Sequence, residues 1–315
     1  MYSATAPTNI ALIKYWGKKN VTDIIPLNES ISVSLSLYTT TQIHPSESHR
    51  LELNGVLEDI EKHPRIIKCL DRFQEICHSK QIPFHPIHIV THNDFPTASG
   101  LASSASGGAA LVKALNGYFN IGLNDVELSI LARLVSGSAS RSVYSGFVLW
   151  SHDQPCATTL PLPYPECHAI RIPSEMVLYA LVCILDDQCK SVPSSVGMQT
   201  TINTSTLFQE RLRLVPQRIL QLKKAIASHD YETLFELTMQ DTMNFHATCL
   251  DTWPPITYLN ASSFDVIQRV HAFNGNDFTV PIHSMQALTQ LYFFEQWKSA
   301  LNSKPLYPIR QCCVM

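Results

Sequence analysis

The sequence predicts an α+β protein built in two lobes, on three observations. Strand-type and helix-type apolar patterns interleave along the chain, 45% of its residues are apolar against 16% charged, and 315 residues are enough to close two modest cores. In chain order, alternation over residues 31 to 53 (ISVSLSLYTTTQIH, then LEL) predicts strands, and RIIKCLDRFQEI, from Arg65 to Ile76, spaces its apolar residues as a helix does. HIVTHNDF reads as a strand entering a small-residue loop, and AALVKALNGYF (Ala109 to Phe119) as the helix that follows it. DVELSILARLVSG reads as a helix with Asp125 near its start and Gly137 past its end. The Pro-rich stretch QPCATTLPLPYPECHAI marks a turn-rich boundary before a strand at Val177. Beyond it, SSVGMQTTINTSTLFQERLRLVP and YETLFELTMQDTMNFHATCL are helical, and no repeat interrupts the pattern.

A net charge of -3 argues against nucleic acid or an anionic membrane as the main partner. Any phosphate binding therefore falls to local cations, for which Lys14, Lys18, Lys19, Arg65 and Arg141 are the candidates. VLYALVCIL is too short to span a membrane and is followed by Asp186 and Asp187, and the first residues lack a signal-peptide pattern. Nine cysteines, an odd number without a Cys-x-x-Cys pair, suit a reducing compartment, so a cytoplasmic location is expected. His85, His88 and His92 have helical ligand spacing, but Ile87, Ile89, Val90 and Thr91 between them favour a strand, which puts His85 and His88 on opposite faces and argues against a metal site. The ending Cys312-Cys313-Val314-Met315 nominally fits a prenylation box without an aliphatic second position, a coincidence on this reading.

The loop PTASGLASSASGG, from Pro96 to Gly108, carries the most chemistry. Gly100, Gly107 and Gly108 permit close backbone approach, Ser103, Ser104 and Ser106 offer hydroxyls, and the following helix would present its positive end to an anion. The loop has neither the Lys-Ser/Thr ending of a Walker motif nor the Gly-x-Gly-x-x-Gly spacing of a dinucleotide fold. On composition alone, a Ser/Gly-rich linker fits equally well.

Further strings decide between these. APTNIALIKYWGKK (Ala6 to Lys19), PLNESISVSL (Pro26 to Leu35), ARLVSGSASRSVYSGFVLW (Ala132 to Trp150), SSVGMQ (Ser194 to Gln199) and LTMQDTMNFHATCLDTWPPITYLNASS (Leu237 to Ser263) stand in order with the Ser-rich loop. Together they resemble the diphosphomevalonate decarboxylase family, of the superfamily that holds galactokinase, homoserine kinase, mevalonate kinase and phosphomevalonate kinase. The resemblance runs from about residue 4 to about residue 275. It implies a two-lobe small-molecule-kinase-type fold, with a ribosomal protein S5 domain 2-like N-terminal lobe over residues 1–172 for nucleotide and phosphate and a ferredoxin-like C-terminal lobe over 173–315. It also implies a homodimer, ATP as cosubstrate and Mg²⁺, whose ligands stay unassigned.

The reaction this resemblance implies phosphorylates the tertiary 3-hydroxyl of (R)-5-diphosphomevalonate, then expels phosphate and carbon dioxide to leave isopentenyl diphosphate. Lys14 is implied to be catalytic. Tyr15, Trp16, Gly17, Lys18 and Arg65 are implied to take the diphosphate, and Arg141 the carboxylate through its planar fork. Ser138 is the third implied catalytic residue, with Ser136, Gly137, Ala139 and Ser140 beside it on the substrate. Ser194 and Ser195 are the implied substrate contacts of the second lobe, and the run Ser99, Gly100, Leu101, Ala102, Ser103, Ser104, Ala105, Ser106 and Gly107 the implied ATP loop. His246 and Asp251 are family markers for which a structural role is expected. A serine-hydrolase elbow at Gly137-Ser138-Ala139-Ser140 is disfavoured, because the closing glycine is missing and a helical pattern replaces the upstream strand.

The pattern breaks after Phe273-Asn274-Gly275. The family there has a segment like YTFDAGPNA, with a catalytic aspartate and a third glycine loop, whereas Pro281 to Ala287 offers neither acid nor glycine and Asp277 comes too early. Back-translating Pro281 to Gln290 as CCT ATA CAT TCG ATG CAG GCC CTA ACG CAG, and reading from the third nucleotide, yields Tyr-Thr-Phe-Asp-Ala-Gly-Pro-Asn-Ala. Apart from the six-codon residues Ser284 and Leu288, only third bases are free in that exercise, so a frameshift between about Gly275 and Val280 is expected, with a tail from about 276 that departs from the family. The chain as written is then an enzyme of impaired activity. Two other readings stay open: a 3-kinase of the mevalonate type that does not decarboxylate, and a non-catalytic diphosphate-binding relative. Retention of Lys14, Lys18 and Arg141 favours the decarboxylase over the kinase.

Overall fold

A single long strand organises the N-terminal half. The computed structural model describes residues 1–95, 103–158, 160–184, 192–274, 282–286, 289–294 and 312–314. Its elements begin with β1 (Tyr2–Ile13), the short hairpin β2 (Lys18–Asn20) and β3 (Ile25–Pro26), and the spine β4 (Ser30–Pro45). There follow β5 (Arg50–Leu53), β6 (Val56–Glu58), α1 (Pro64–Ser79), β7 (Ile87–Asn93), α2 (Ser103–Tyr118), α3 (Asp125–Val135), α4 (Ala139–Ser142), β8 (Phe147–Trp150) and β9 (Ala169–Ile172). β4 pairs with β7 through Thr39 to Pro45, with β8 through Ser30 to Val33, and with β1. The result is a seven-stranded sheet in the order β6-β5-β7-β4-β8-β9 with β1 added on β4, antiparallel except between β5 and β7.

The helices start where the sequence lets them. Pro64 opens α1, where its missing N–H is not needed, and Cys69, Leu70, Phe73, Ile76 and Cys77 form its buried stripe. Asn124 and Glu127 exchange bonds of 3.0 Å across the first turn of α3, a capping box. These helices and α2 share one core with the sheet, including Phe73, Ile89, Leu115 and Leu131. His85 precedes β7, so of the three spaced histidines only His88 and His92 lie on that strand. Among the described residues no group of three or more potential metal ligands occurs.

The C-terminal half comprises β10 (Tyr179–Ile184), α5 (Ser194–Thr204), α6 (Leu207–Ser228), α7 (Tyr231–Leu250), α8 (Ala261–Asn274), β11 (Ile282–Gln286), β12 (Thr289–Phe294) and β13 (Cys312–Val314). The strands form an antiparallel sheet in the order β11-β12-β10-β13, so the Cys-rich end pairs with β10. The helix expected from Ser194 through Pro216 is two helices. Asp251, at the end of α7, accepts from Ser205 Oγ (2.8 Å) and from the Leu207 amide (2.9 Å), which ends one helix and starts the next. α6 then carries Pro216 in its interior. α6 and α7 lie against the first sheet through Val215, Ile219, Leu222, Leu234 and Phe235, packed with Ile10, Leu12, Val33 and Phe147. The fold is thus the two-lobe α+β, small-molecule-kinase type. Among the described residues, no helix is long and apolar enough to cross a membrane.

Candidate active site

Residues 14 to 18 leave the end of β1 as a strip with its own conformation. Gly17 sits at φ +93°, and a Cβ there would lie 2.7 Å from Phe208 Cζ and 3.0 Å from Leu27 Cδ1, so the position needs glycine twice over. Trp16 anchors the strip: its indole is 1% exposed, packs edge-on to Phe245 at 4.8 Å and donates to Thr201 Oγ1 at 3.0 Å. Asn28 accepts from the Trp16 amide at 3.1 Å. The Trp16 side chain therefore holds the strip in place from inside the core. Lys14 lays its Nζ 4.6 Å from the centre of the Phe245 ring.

Tyr15 and Lys18 lie within the influence of other cations. Tyr15 packs edge-on to Trp150 at 4.7 Å, and a Cβ on Gly137 would come within 2.6 Å of its hydroxyl, so the strip and the SGSASR turn touch here. Burial raises the Tyr15 phenol, while Arg141 and Arg65 pull it down. Burial, then the charge of Arg65, pushes Lys18 down to about 8. Arg65 is exposed at the start of α1. Tyr15 thus feels both arginines, and Lys18 completes a group of cations in which none of the three forms an ion pair among the described residues.

Arg141, on α4, is 2% exposed. Its Nε donates to Ser32 Oγ at 2.9 Å, Nη1 to Ser30 Oγ at 2.7 Å and Nη2 to Asn9 Oδ1 at 3.4 Å. All three acceptors are neutral, and burial brings the guanidinium down to about 10. A helix-terminal salt bridge would look different. A buried cation with no counter-charge costs several kcal/mol, roughly, in effective desolvation, and an incoming anion relieves that cost.

The serines divide into two groups. Ser140 is buried and donates to the Gly137 carbonyl at 2.8 Å, and Ser106 is buried and bonded to Thr39 Oγ1 at 2.6 Å, so both hydroxyls serve the fold. Ala105 and Ala139 are fully buried. By contrast Ser104, Ser136 and Ser138 form a hydroxyl chain, 3.4 and 3.2 Å per step, that joins the start of α2 to the SGSASR turn. Ser194 and Ser195 open α5, which lies on the strip: a Cβ on Gly197 would be 3.2 Å from the Trp16 indole. Ser99, Gly100, Leu101 and Ala102 lie outside the described residues, as does Asp277.

Beside the cation cluster a cavity of about 440 Å³ runs under the start of α2. Its lining includes Ser103, Ser104, Gly107, Lys62 and Arg65 together with the apolar Leu53, Ile89 and Leu111. Apolar side chains, cations and a helix start in one cavity suit an aromatic base attached to phosphates.

Sequence reasoning missed Asn9, Asn28, Ser30 and Ser32, which lie inside or beside the quoted motifs as ordinary polar residues. It also missed Asp241, which accepts from the Lys14 amide at 3.0 Å. That aspartate recurs on the apolar face of α7 with Thr238 and Phe245, and an acid at such a position is a readable signal.

Fold and site together define an enzyme of the two-lobe small-molecule-kinase class, with a cation-bearing strip beside a cavity of about 440 Å³. Residues 6–159 match the diphosphomevalonate decarboxylase-like N-terminal domain and residues 180–283 the mevalonate 5-diphosphate decarboxylase C-terminal domain. The chain is 44% identical over 296 residues to the diphosphomevalonate decarboxylase of Candida albicans, spanning 88% of this chain and 80% of that one. The crystal structure of mevalonate diphosphate decarboxylase from Staphylococcus aureus superposes with a TM-score of 0.86 at 32% identity, covering 100% of this chain and 95% of the other. MDDEF, solved in complex with MVAPP, AMPPCP and magnesium, superposes with a TM-score of 0.84 at 30% identity over 99% of this chain and 95% of that one. The chain belongs to the diphosphomevalonate decarboxylase family.

Proposed function

We propose that the chain carries out the family's reaction, the ATP-dependent decarboxylation of (R)-5-diphosphomevalonate to isopentenyl diphosphate, ADP, phosphate and carbon dioxide, in isoprenoid synthesis by the mevalonate pathway. The observation that carries this reading is Arg141, a buried guanidinium whose hydrogen-bond acceptors among the described residues, Asn9, Ser30 and Ser32, are all neutral. It takes the substrate carboxylate, whose charge it matches and whose plane its fork fits. As carbon dioxide forms, the electron pair of the breaking C–C bond becomes the new double bond while phosphate departs from C3. The carboxylate leaves as neutral carbon dioxide, which has no hold on Arg141.

Lys18, Arg65 and the strip from Tyr15 to Gly17 take the diphosphate, and Lys14 and Ser138 stand at the reacting end. Ser136, Gly137, Ala139 and Ser140 shape that wall, with Ser194 and Ser195 closing from the second lobe. ATP occupies the cavity beneath α2, its phosphates on the segment Ser99 to Gly107. Magnesium and ATP come to this chain from the relative solved with MVAPP, AMPPCP and magnesium. The hydroxyls of Ser104, Ser136 and Ser138 fit an ion that draws most of its ligands from phosphate oxygens and water. Lobes at residues 1–172 and 173–315, a homodimer and a cytoplasmic location complete the reading. The free cysteines among the described residues, Cys69, Cys77, Cys156, Cys167 and Cys249, agree with a reducing compartment.

The tail is part of the proposal. Asp241 is the acid tied to the strip, yet its carboxylate already accepts from Lys14, Arg211 and Arg218, so it does not replace the family's missing aspartate. A frameshift before Val280 accounts for the loss, and sequencing the encoding DNA tests it: no frame that restores Asp-Ala-Gly-Pro-Asn would sink it. The function itself is tested by calorimetry with (R)-5-diphosphomevalonate. Binding by the chain and its loss in Arg141→Gln support it, and an Arg141→Gln protein that binds as tightly as wild type removes its main support.

A further inference from the structure

Lys14 is the first residue past the last ladder position of β1. A backbone leaving a sheet must find new partners for its N–H and C=O. Here a single ion pair on two helices of the second lobe supplies both. Asp241 Oδ2 on α7 accepts from the Lys14 amide at 3.0 Å, and Arg211 Nη2 on α6 donates to the Lys14 carbonyl at 2.7 Å. The pair itself is bidentate, with both bonds at 3.0 Å, and buried: Arg211 is 0% and Asp241 1% exposed. Arg218 adds a contact to Asp241 at 3.4 Å, and Arg211 Nη1 reaches Asn244 Oδ1 at 2.6 Å.

An ion pair that served only to join α6 to α7 would need no bond to the first lobe. Burying it is costly, and apolar residues would join two helices at least as well. This pair instead grips one residue of the strip from both sides, as a neighbouring strand would. Asn28 extends the grip, donating from Nδ2 to the Lys14 carbonyl at 3.3 Å and accepting from the Trp16 amide at 3.1 Å.

We propose that Arg211 and Asp241 are positioning residues, a clamp through which the second lobe sets the strip from Lys14 to Lys18 in the geometry that receives the substrate's diphosphate. Neither touches substrate. The inference rests on the reading of this strip as the diphosphate seat. It assigns the clamp no part in the nucleotide cavity, whose lining includes neither residue.

The test uses the full chain and two variants. Asp241→Asn removes the carboxylate charge and leaves two buried arginines uncompensated, so Arg211→Lys, which keeps the charge but loses the fork, is the variant expected to fold. Each is titrated by calorimetry with (R)-5-diphosphomevalonate and separately with ATP, and melted without ligand. The expected result is a loss of about tenfold or more in affinity for (R)-5-diphosphomevalonate with ATP affinity within about twofold of wild type. A merely structural role would weaken both ligands in parallel. Parallel weakening, or unchanged substrate affinity in Arg211→Lys, overturns the inference. A wild-type chain that binds ATP but not (R)-5-diphosphomevalonate overturns instead the reading of the strip, and the clamp with it.

Discussion

The guanidinium of Arg141 lies 5.9 Å from the centre of the Tyr15 ring, and Tyr15 in turn stands on the strip that Asp241 and Arg211 hold. Trp150 closes the other side, 5.7 Å from the same guanidinium. Two aromatic rings and three neutral acceptors therefore stabilise a buried charge that meets no acid among the described residues. On the proposed reading, Arg141 awaits the substrate carboxylate while Asp241 and Arg211 hold the strip that receives the diphosphate.

Arg141→Gln removes this guanidinium. The variant is expected to melt no lower than wild type, because a buried charge is gone, while affinity for (R)-5-diphosphomevalonate falls by about 2 kcal/mol or more, roughly 30-fold. Thermal denaturation with and without ligand reads both effects. A large drop in melting temperature would show that Arg141 chiefly supports the fold.

Lys18 gives a pH signature. Its value is lowered from 10.5 to about 8, so between those values the unfolded chain holds the proton more tightly than the folded one. The cost of the buried charge is fully present below pH 8, and its relief adds stability as pH rises from about 8 toward 10.5. Ligand affinity runs the other way if, as proposed, the diphosphate is held by the Lys18 ammonium. Affinity measured by calorimetry is expected to fall as pH passes about 8, and Lys18→Arg to flatten that fall.

Gly107 and Gly17 predict opposite outcomes. A Cβ at Gly107 meets nothing within 4 Å and would project from helix α2, which lines the cavity. Gly107→Val should keep or raise stability yet reduce ATP affinity by roughly tenfold or more, read by nucleotide titration and a urea melt. Gly17→Ala forces a side chain into a left-handed backbone against Phe208, and should cost about 1–3 kcal/mol of stability by the same melt.

Much of this was legible without coordinates. α1 follows from its apolar spacing, because it buries one stripe against a sheet, α3 from its apolar pattern and its acidic start, and α7 from its apolar content. The break at Ser205 was not, since it depends on Asp251, distant in sequence and brought there by the turn of α7. β1 carries no alternation, being buried along its whole second half. The one-turn α4 and the terminal α8 also escaped the pattern. Arg141 and Lys18 were readable as cations in motifs, but the neutrality of the Arg141 partners was not. That fact depends on β1 and β4 lying side by side, with Asn9, Ser30 and Ser32 converging on one guanidinium.

The most direct test of the central claim is a coupled assay of ADP and carbon dioxide with (R)-5-diphosphomevalonate and ATP. It is run on this chain and on a version whose residues from Pro281 are read in the shifted frame. Carbon dioxide from the restored protein, with this chain slower by about 100-fold or more for want of the acid, is the predicted result. No carbon dioxide from a folded, restored protein contradicts the assigned reaction, and equal rates from both proteins contradict the account of the tail.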